Sequence, residues 1–364
     1  MKAKKIQIAI ISILFLSLVL SVWFKGEDAF SKSERRTLKK FPELSLDTVM
    51  NGKFMKEFEE YTLDQFPLRD TLRGIKAGWV FGIYQQMDNN KLYMADGHIS
   101  KIEYPYNENS IDNAVKIIKG IYDRMLKDKN CNIYYAVIPD KNYFLADKNG
   151  YLSIDYDRLT KRYTEGLSDY TYIDIFDLLT IDDYYETDTH WKQECIVDVA
   201  EKLADSMGTK IDTEYTYNEL EGRFDGVYQG QLSLGTSDDK IVYLTNDTIN
   251  AFEVINMENN KPMGVYDMDK AAGDDRYETY LSGSLSLITI DNPNAKTDKE
   301  LIIFRDSFGS SIAPILATGY KKVTIADIRY ISSAVLSRFI DATDADVLFL
   351  YSTLVLNNSN TFKQ

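Results

Sequence analysis

The sequence predicts an α/β fold in which helices cover a mostly parallel sheet, led by an apolar N-terminal helix. Three observations carry that reading. From residue 111 onward, stretches with apolar residues three and four apart alternate with short apolar runs, the pattern of helices and buried strands in turn. One of these runs, 301–304, passes through a tight turn at 305–309 into a helical stretch at 310–316. At the other end of the chain, 6–24 is a nearly unbroken apolar run behind Lys2, Lys4 and Lys5.

That first run is long enough to cross a bilayer, and the preceding lysines put the N-terminus in the cytoplasm. It ends in Val22-Trp23-Phe24-Lys25 without a small-x-small cleavage site, which favours an uncleaved anchor over a signal peptide. The expected organisation is therefore an anchor at 1–25 and an extracytoplasmic domain at 26–364, a single-pass protein of the cell membrane. Residues 25–40 are charged and read as a tether or early arm. Phe54, Phe58, Tyr61, Leu63 and Phe66 recur at helical spacing up to Pro67, and a second helical stretch opens at Leu68-Arg69-Asp70. Two short strands flank the Asp96-Gly97 turn, with His98 beside it in a structural place.

Apolar positions 111, 114, 115, 118, 121, 122, 125 and 126 define a helix, followed by a strand at 131–138 that ends in Pro139-Asp140-Lys141. A helix at 156–167, a strand at 170–175 and a helix at 190–207 come next. Between about 208 and 294 the helical period gives way to short strand-like pieces between Gly, Asn and Asp turns, read as a strand-rich insertion on the main body. After the 301 strand and its helix come a strand at 323–326, a helix at 333–340 and a strand at 347–351.

Composition narrows the function classes. With 42 basic against 56 acidic residues the net charge is -14, which disfavours nucleic acid and anionic membrane surfaces as partners. Cys131 and Cys195 have no metal-ligand spacing; they either pair in an oxidising compartment or stay free in apolar surroundings. There is no Gly-rich phosphate loop, Cys-x-x-Cys or His-x-x-x-His, so no cofactor and no metal are expected. Among 26 tyrosines most belong to ordinary packing, although some suit a cleft where aromatic faces meet sugars.

Ser307 stands at the mouth of a strand and faces a helix start, where free backbone N–H groups can stabilise an oxyanion beside a nucleophile. The same position also suits a plain N-cap serine. One of only two histidines, His190, lies two positions after Asp188. A serine nucleophile needs a base and the base needs a carboxylate, and Asp188, His190 and Ser307 supply one of each. Residues two apart do not face each other on a helix, so the pair must sit on a turn; the alternative is that Asp188 or Thr189 caps the next helix.

Four separated motifs then coincide: Asp188-Thr189-His190-Trp191, the 305–310 block Arg-Asp-Ser-Phe-Gly-Ser, the 64–70 block Asp-Gln-Phe-Pro-Leu-Arg-Asp, and Pro139-Asp140-Lys141. Together they resemble the DHHW proteins, relatives of the alginate O-acetyltransferases in the SGNH-hydrolase-like superfamily, over roughly 27–351. The resemblance implies an SGNH-hydrolase-like three-layer fold and a Ser-His-Asp triad that moves acetyl groups onto an exported polysaccharide. It also implies a membrane-bound O-acyltransferase partner that supplies the acetyl group. Carried over, Ser307 is the nucleophile, His190 the base and Asp188 its orienting carboxylate. Thr189 stands where the family name has a second histidine, leaving His190 as the base, and Arg305-Asp306 replaces the glycine usual before Asp-Ser in the wider superfamily.

The block Tyr280-Leu281-Ser282-Gly283 resembles a motif found before the serine strand and offers Tyr280 and Gly283 to the oxyanion or substrate, against a packed-aromatic role for Tyr280. Asp140, Lys141 and Arg305 are further cleft candidates, with a surface ion pair the alternative for Asp140 and Lys141. The expected activity is polysaccharide O-acetylation; a deacetylase or esterase, and a non-catalytic glycan-binding assembly protein, are the alternatives.

Overall fold

In the computed structural model the described residues are 2–235 and 237–363, with only the backbone described at 2, 3, 19, 22 and 23. The chain divides into two compact units, residues 1–90 with 227–235, and residues 91–226 with 236–364.

The second unit is built on one eight-stranded sheet. Its strands are β1 (Asn132–Ile138), β2 (Thr171–Tyr172), β3 (Glu253–Asn256), β4 (Lys261–Met263), β5 (Leu287–Asp291), β6 (Glu300–Arg305), β7 (Lys322–Ala326) and β8 (Asp346–Ser352), in the order β4-β3-β5-β7-β6-β8-β1-β2. The five strands from β7 to β2 run parallel, and β5, β3 and β4 continue the sheet in antiparallel pairs. The class is thus α/β with a mostly parallel sheet, as the alternation of elements predicts. The region 208–294 supplies β3, β4 and β5, which lengthen the main sheet, while its Val242–Thr245 piece pairs with Thr216–Glu219 in a separate two-stranded sheet.

Side-chain alternation explains the layers. On one face Leu301, Ile303, Leu348, Leu350 and Val323 pack with the helices Val197–Ser206 and Gly309–Ala317. On the other, Ile302, Phe304, Val347, Phe349 and Tyr135 pack with the helices Glu108–Ile121 and Tyr156–Gly166. A strand covered on both faces has no solvent side, which is why Leu301-Ile302-Ile303-Phe304 is a continuous apolar run. Several elements are shorter than the pattern predicts. The 170–175 strand reduces to Thr171–Tyr172, the 333–340 helix to Ser333–Leu336, and the helix after His190 starts only at Val197. The Leu92–Ala95 and His98–Lys101 hairpin forms as expected, and burial lowers the pKa of His98, whose Nδ1 lies 3.1 Å from the Asp96 carbonyl oxygen.

In the first unit, the segment expected as a tether carries a two-stranded ribbon, Phe30–Ser31 with Arg36–Thr37. It is pinned by the 64–70 motif. The Asp64 carboxylate accepts two hydrogen bonds from Arg36, at 2.8 and 2.5 Å, and one from the Lys39 N–H at 2.9 Å. The Gln65 amide accepts from the Asp28 N–H and donates to the carbonyl oxygens of Asp28 and Lys39, at 2.9, 2.9 and 3.0 Å. Arg73 reaches the carbonyls of Gly230 and Gln231 at 3.0 and 2.5 Å, which ties 227–235 to this unit.

The N-terminal expectation is corrected. Lys2–Phe24 is a helix, but among the described residues no helix is long and apolar enough to cross a membrane. The predicted span needs residues 19, 22 and 23, whose side chains lie outside the described residues, and the described part opens on Lys4, Lys5 and Gln7. The single-pass membrane location is accordingly withdrawn.

Gly230 faces the main chain at Ser33 so closely that a β-carbon would overlap the Ser33 carbonyl. Gly230→Ala is expected to destabilise the first unit by about 1–3 kcal/mol, the usual range for overpacking; urea unfolding of the full chain checks this, and an unchanged midpoint would contradict the close approach.

Candidate active site

The parallel arrangement carries the β6 chain out at its carboxyl end into Asp306, Ser307 and Phe308, and the helix Gly309–Ala317 starts directly afterwards. Asp306 is buried and fixes this turn: its Oδ1 accepts from the Phe308 N–H at 3.0 Å, and its Oδ2 from the Ser352 N–H at the end of β8 at 2.8 Å. Gly309 is required because a β-carbon there would collide with the Arg305 side chain packed beneath it. The N-cap of the helix is Phe308, which makes no side-chain cap, so Ser307 is not spent as a capping residue. Its Oγ lies 2.7 Å from His190 Nε2.

His190 is held on an irregular segment, not on a helix. Asp188 Oδ1 accepts from both the His190 backbone N–H, at 3.1 Å, and the ring Nδ1, at 2.6 Å. This turn lets residues two apart meet, and it leaves the capping alternative without support: the helical turn Gln193–Cys195 has Lys192 at its N-cap and the helix after it has Ile196, neither with a side-chain cap. A buried carboxylate only accepts, so the imidazole carries its hydrogen on Nδ1 and presents the Nε2 lone pair to the Ser307 hydroxyl. Asp188 is fully buried and His190 is 9% exposed, whereas Ser307 is half-buried and can be reached.

Residues outside the predicted set complete the arrangement. The Tyr277 ring stacks on the His190 ring with centroids 3.8 Å apart and planes 6° from parallel, while Phe308 packs 5.0 Å away. The Tyr277 hydroxyl pairs with Ser311 Oγ at 3.0 Å, and Trp191 Nε1 donates to the same oxygen at 2.8 Å. Gln193 Nε2 donates to the Ser311 carbonyl at 2.6 Å. From the far side, Asp239 accepts from the Glu186 and Thr187 N–H groups, at 3.0 and 2.8 Å, and from the Thr187 hydroxyl at 2.6 Å. The base segment is thus bolted to the helix that follows the serine. Tyr277 lies three positions before the 280–283 block that the sequence offers, and nothing local to Tyr277 or Asp239 signals its role.

The remaining sequence candidates turn to protein partners. Tyr280 is buried and donates to the Val242 carbonyl at 2.7 Å, beside Tyr185, in the packed-aromatic role. Gly283 adopts a left-handed φ of 75° and its carbonyl accepts from Arg305 Nη2 at 3.2 Å. Arg305 is fully buried, its pKa lowered by burial, and it lies 3.4 Å from Asp327, which also pairs with Arg329 at 2.7 Å. Asp140 accepts from Thr353 Oγ1, the Tyr156 hydroxyl and the Asn142 N–H, at 2.7, 2.9 and 2.8 Å. Neither Asp140 nor Lys141 belongs to a surface ion pair, since both are buried. Cys131 and Cys195 are free thiols.

No protein-family model matches the chain, and no curated protein matches it. Among solved structures, a DHHW family protein from Eubacterium siraeum superposes with a TM-score of 0.62 at 18% identity, over 75% of this chain and 94% of that one. The chain shares its fold with a DHHW family protein. PatB1 of Bacillus cereus, solved with a sulfonyl adduct, gives 0.61 at 20% identity over 77% of this chain and 99% of its own. A second PatB1 structure gives 0.59 at 20% identity, over 76% and 98%. The family resemblance carried by the four sequence motifs thus has its counterpart in three dimensions.

Two outcomes are expected here. Tyr277→Leu removes the ring that holds the imidazole plane and should slow any reaction that uses His190 by about 10- to 100-fold, read by steady-state kinetics; an unchanged rate would mean that Asp188 alone suffices to orient the ring. Burial pushes the Asp140 carboxyl up to about 6, against three hydrogen-bond donors. The folded chain therefore binds this proton more tightly than the unfolded one, so the contribution is whole below about pH 4 and lost as pH rises through 6. Denaturation midpoints between pH 4 and 6 should fall less steeply in Asp140→Asn than in the wild type, and parallel slopes would contradict the assignment.

Proposed function

We propose that this chain is a serine-dependent acyl-transfer enzyme with an SGNH-hydrolase-like site, acting on acetyl groups destined for a polysaccharide hydroxyl. The observation that carries the reading is the 2.7 Å contact of Ser307 Oγ with His190 Nε2 in line with the 2.6 Å contact of Nδ1 with Asp188. In the proposed first step Oγ attacks the acetyl carbonyl carbon and its proton passes to Nε2, while the buried Asp188 carboxylate stabilises the imidazolium. The negative oxygen of the tetrahedral intermediate is assigned to the Ser307 backbone N–H, since those of Phe308, Gly309 and Ser310 already donate to Asp306 Oδ1, the Asp306 carbonyl and the Ser307 carbonyl. Collapse breaks the bond to the leaving group, which takes the proton from Nε2 and leaves an acetyl ester on Ser307.

A sugar hydroxyl then gives its proton to Nε2 and attacks that ester; collapse breaks the bond between the carbonyl carbon and Ser307 Oγ, which takes the proton back from Nε2 as the acetylated sugar leaves. Water in place of the sugar would make the same residues an esterase, and the balance rests on how well the acceptor excludes water. The sulfonyl adduct on PatB1 supports placing a reactive nucleophile on this fold, because sulfonyl reagents label activated nucleophiles. An acetyl-supplying O-acyltransferase is the proposed partner.

The full chain treated with a sulfonyl fluoride should gain a single adduct, mapped by mass spectrometry to the peptide containing Ser307. Ser307→Ala and His190→Ala should remove it, and each should lower turnover of an activated acetyl ester by roughly 10⁴-fold. Labelling that persists in Ser307→Ala would refute the nucleophile; acetate release unaffected by any sugar acceptor would favour the esterase.

A further inference from the structure

Lys141 is 2% exposed, in a protein interior where lysine is almost never found without partners. Its Nζ donates to three main-chain carbonyl oxygens of one short segment, those of Tyr185 at 2.6 Å, Glu186 at 2.9 Å and Asp188 at 3.0 Å. Among the described residues these three acceptors suit the three N–H donors of an ammonium; burial lowers the Lys141 pKa to about 7, against the attraction of Asp188 and Asp239 for the charged form. The segment has almost no regular structure of its own: a single bridge joins Tyr184 to Trp191, and Tyr185 N–H donates to the His190 carbonyl at 3.1 Å. The Glu186 carbonyl also accepts from the Ile99 N–H at 2.8 Å, and it gathers with those of Tyr185 and Asp188 around a cation from the end of β1.

From this cage we infer that Lys141 is a positioning residue, whose ammonium draws the 185–188 main chain into the curve that aims the Asp188 carboxylate at His190. Asp239 holds the N–H groups of Glu186 and Thr187 from outside while Lys141 holds the carbonyls from inside, so the two faces of the same peptides are fixed by opposite charges. Gly226 adds a steric limit, since a β-carbon there would overlap the Thr187 carbonyl. Asp140 caps the short helix Lys141–Leu145 through the Asn142 N–H, which fixes the backbone from which the lysine reaches. The Asp-Lys pair after β1 thus acts through the base segment and not on substrate. This inference rests on the acyl-transfer reading.

The test compares wild type, Lys141→Met and Lys141→Ala as full-length chains, with an activated acetyl ester as substrate and circular dichroism to follow folding. Lys141→Met is expected to lower kcat by about 100-fold, the cost of displacing a catalytic group by about an ångström, with KM changed by less than about threefold. Lys141→Ala is expected to lose as much and to regain at least about tenfold with added methylammonium, which can donate to carbonyls, but nothing with tetramethylammonium, which cannot. A wild-type kcat in Lys141→Met, a loss confined to KM, or equal effects of the two amines would overturn the inference while the acyl-transfer reading stands. An unreactive wild-type chain would overturn both. If Lys141→Met does not fold, Lys141→Gln, which keeps two N–H donors, takes its place; failure of that variant to fold would mark Lys141 as a core-stabilising residue and also overturn the inference.

Discussion

The proposed chemistry depends on holding an irregular piece of backbone still. Residues 185–193 carry both Asp188 and His190, yet lie outside the regular strands and largely outside helices. Main chain of this kind, buried with few internal hydrogen bonds, is stable only if each polar group finds a partner elsewhere. Here Lys141 and Asp239 serve the main chain, while the Ser311 carbonyl and the Leu244 N–H, which donates to Gln193 Oε1 at 2.8 Å, hold the Gln193 side chain. The His190 to Ser307 contact is the outcome of that framework, joining two segments 117 positions apart.

The serine side is rigid for a different reason. β6 lies between two parallel neighbours and is buried on both faces, so its carboxyl end is set by the sheet register. Asp306 then transmits that register to the turn by bonding the Phe308 and Ser352 N–H groups. Beneath it, Arg305 and Asp327 are both fully buried, an arrangement whose desolvation cost offsets much of its Coulomb attraction. Its value is geometric: Arg305 fills the space under Gly309 and satisfies the Gly283 carbonyl.

Much of this was legible in the sequence because it is local. The apolar run 301–304 and the helix after it follow from periodicity, and the spacing of Asp188 and His190 already demanded a turn. The helix expected from His190 onward failed because the polar groups at 190–193 are claimed by Ser311 and by Asp183, whose carbonyl accepts from the Lys192 N–H at 2.7 Å. Tertiary hydrogen bonds there override helical spacing. Tyr277, Asp239 and the cage around Lys141 were hidden because they come from residues roughly 45 to 90 positions from the groups they hold; no pattern within a window can report them. The apolar N-terminal run was over-read in the other direction, where its length and the lysines before it suggested an anchor that the described helix does not support.

The most direct measurement is rapid-quench mass spectrometry of the full chain mixed with an activated acetyl ester. The account predicts an acetyl group on Ser307 within the first turnover, formed before product accumulates at its steady rate and absent from His190→Ala. Turnover with Ser307 unmodified at every early time, or an acetyl group that forms as fast without His190, would contradict it.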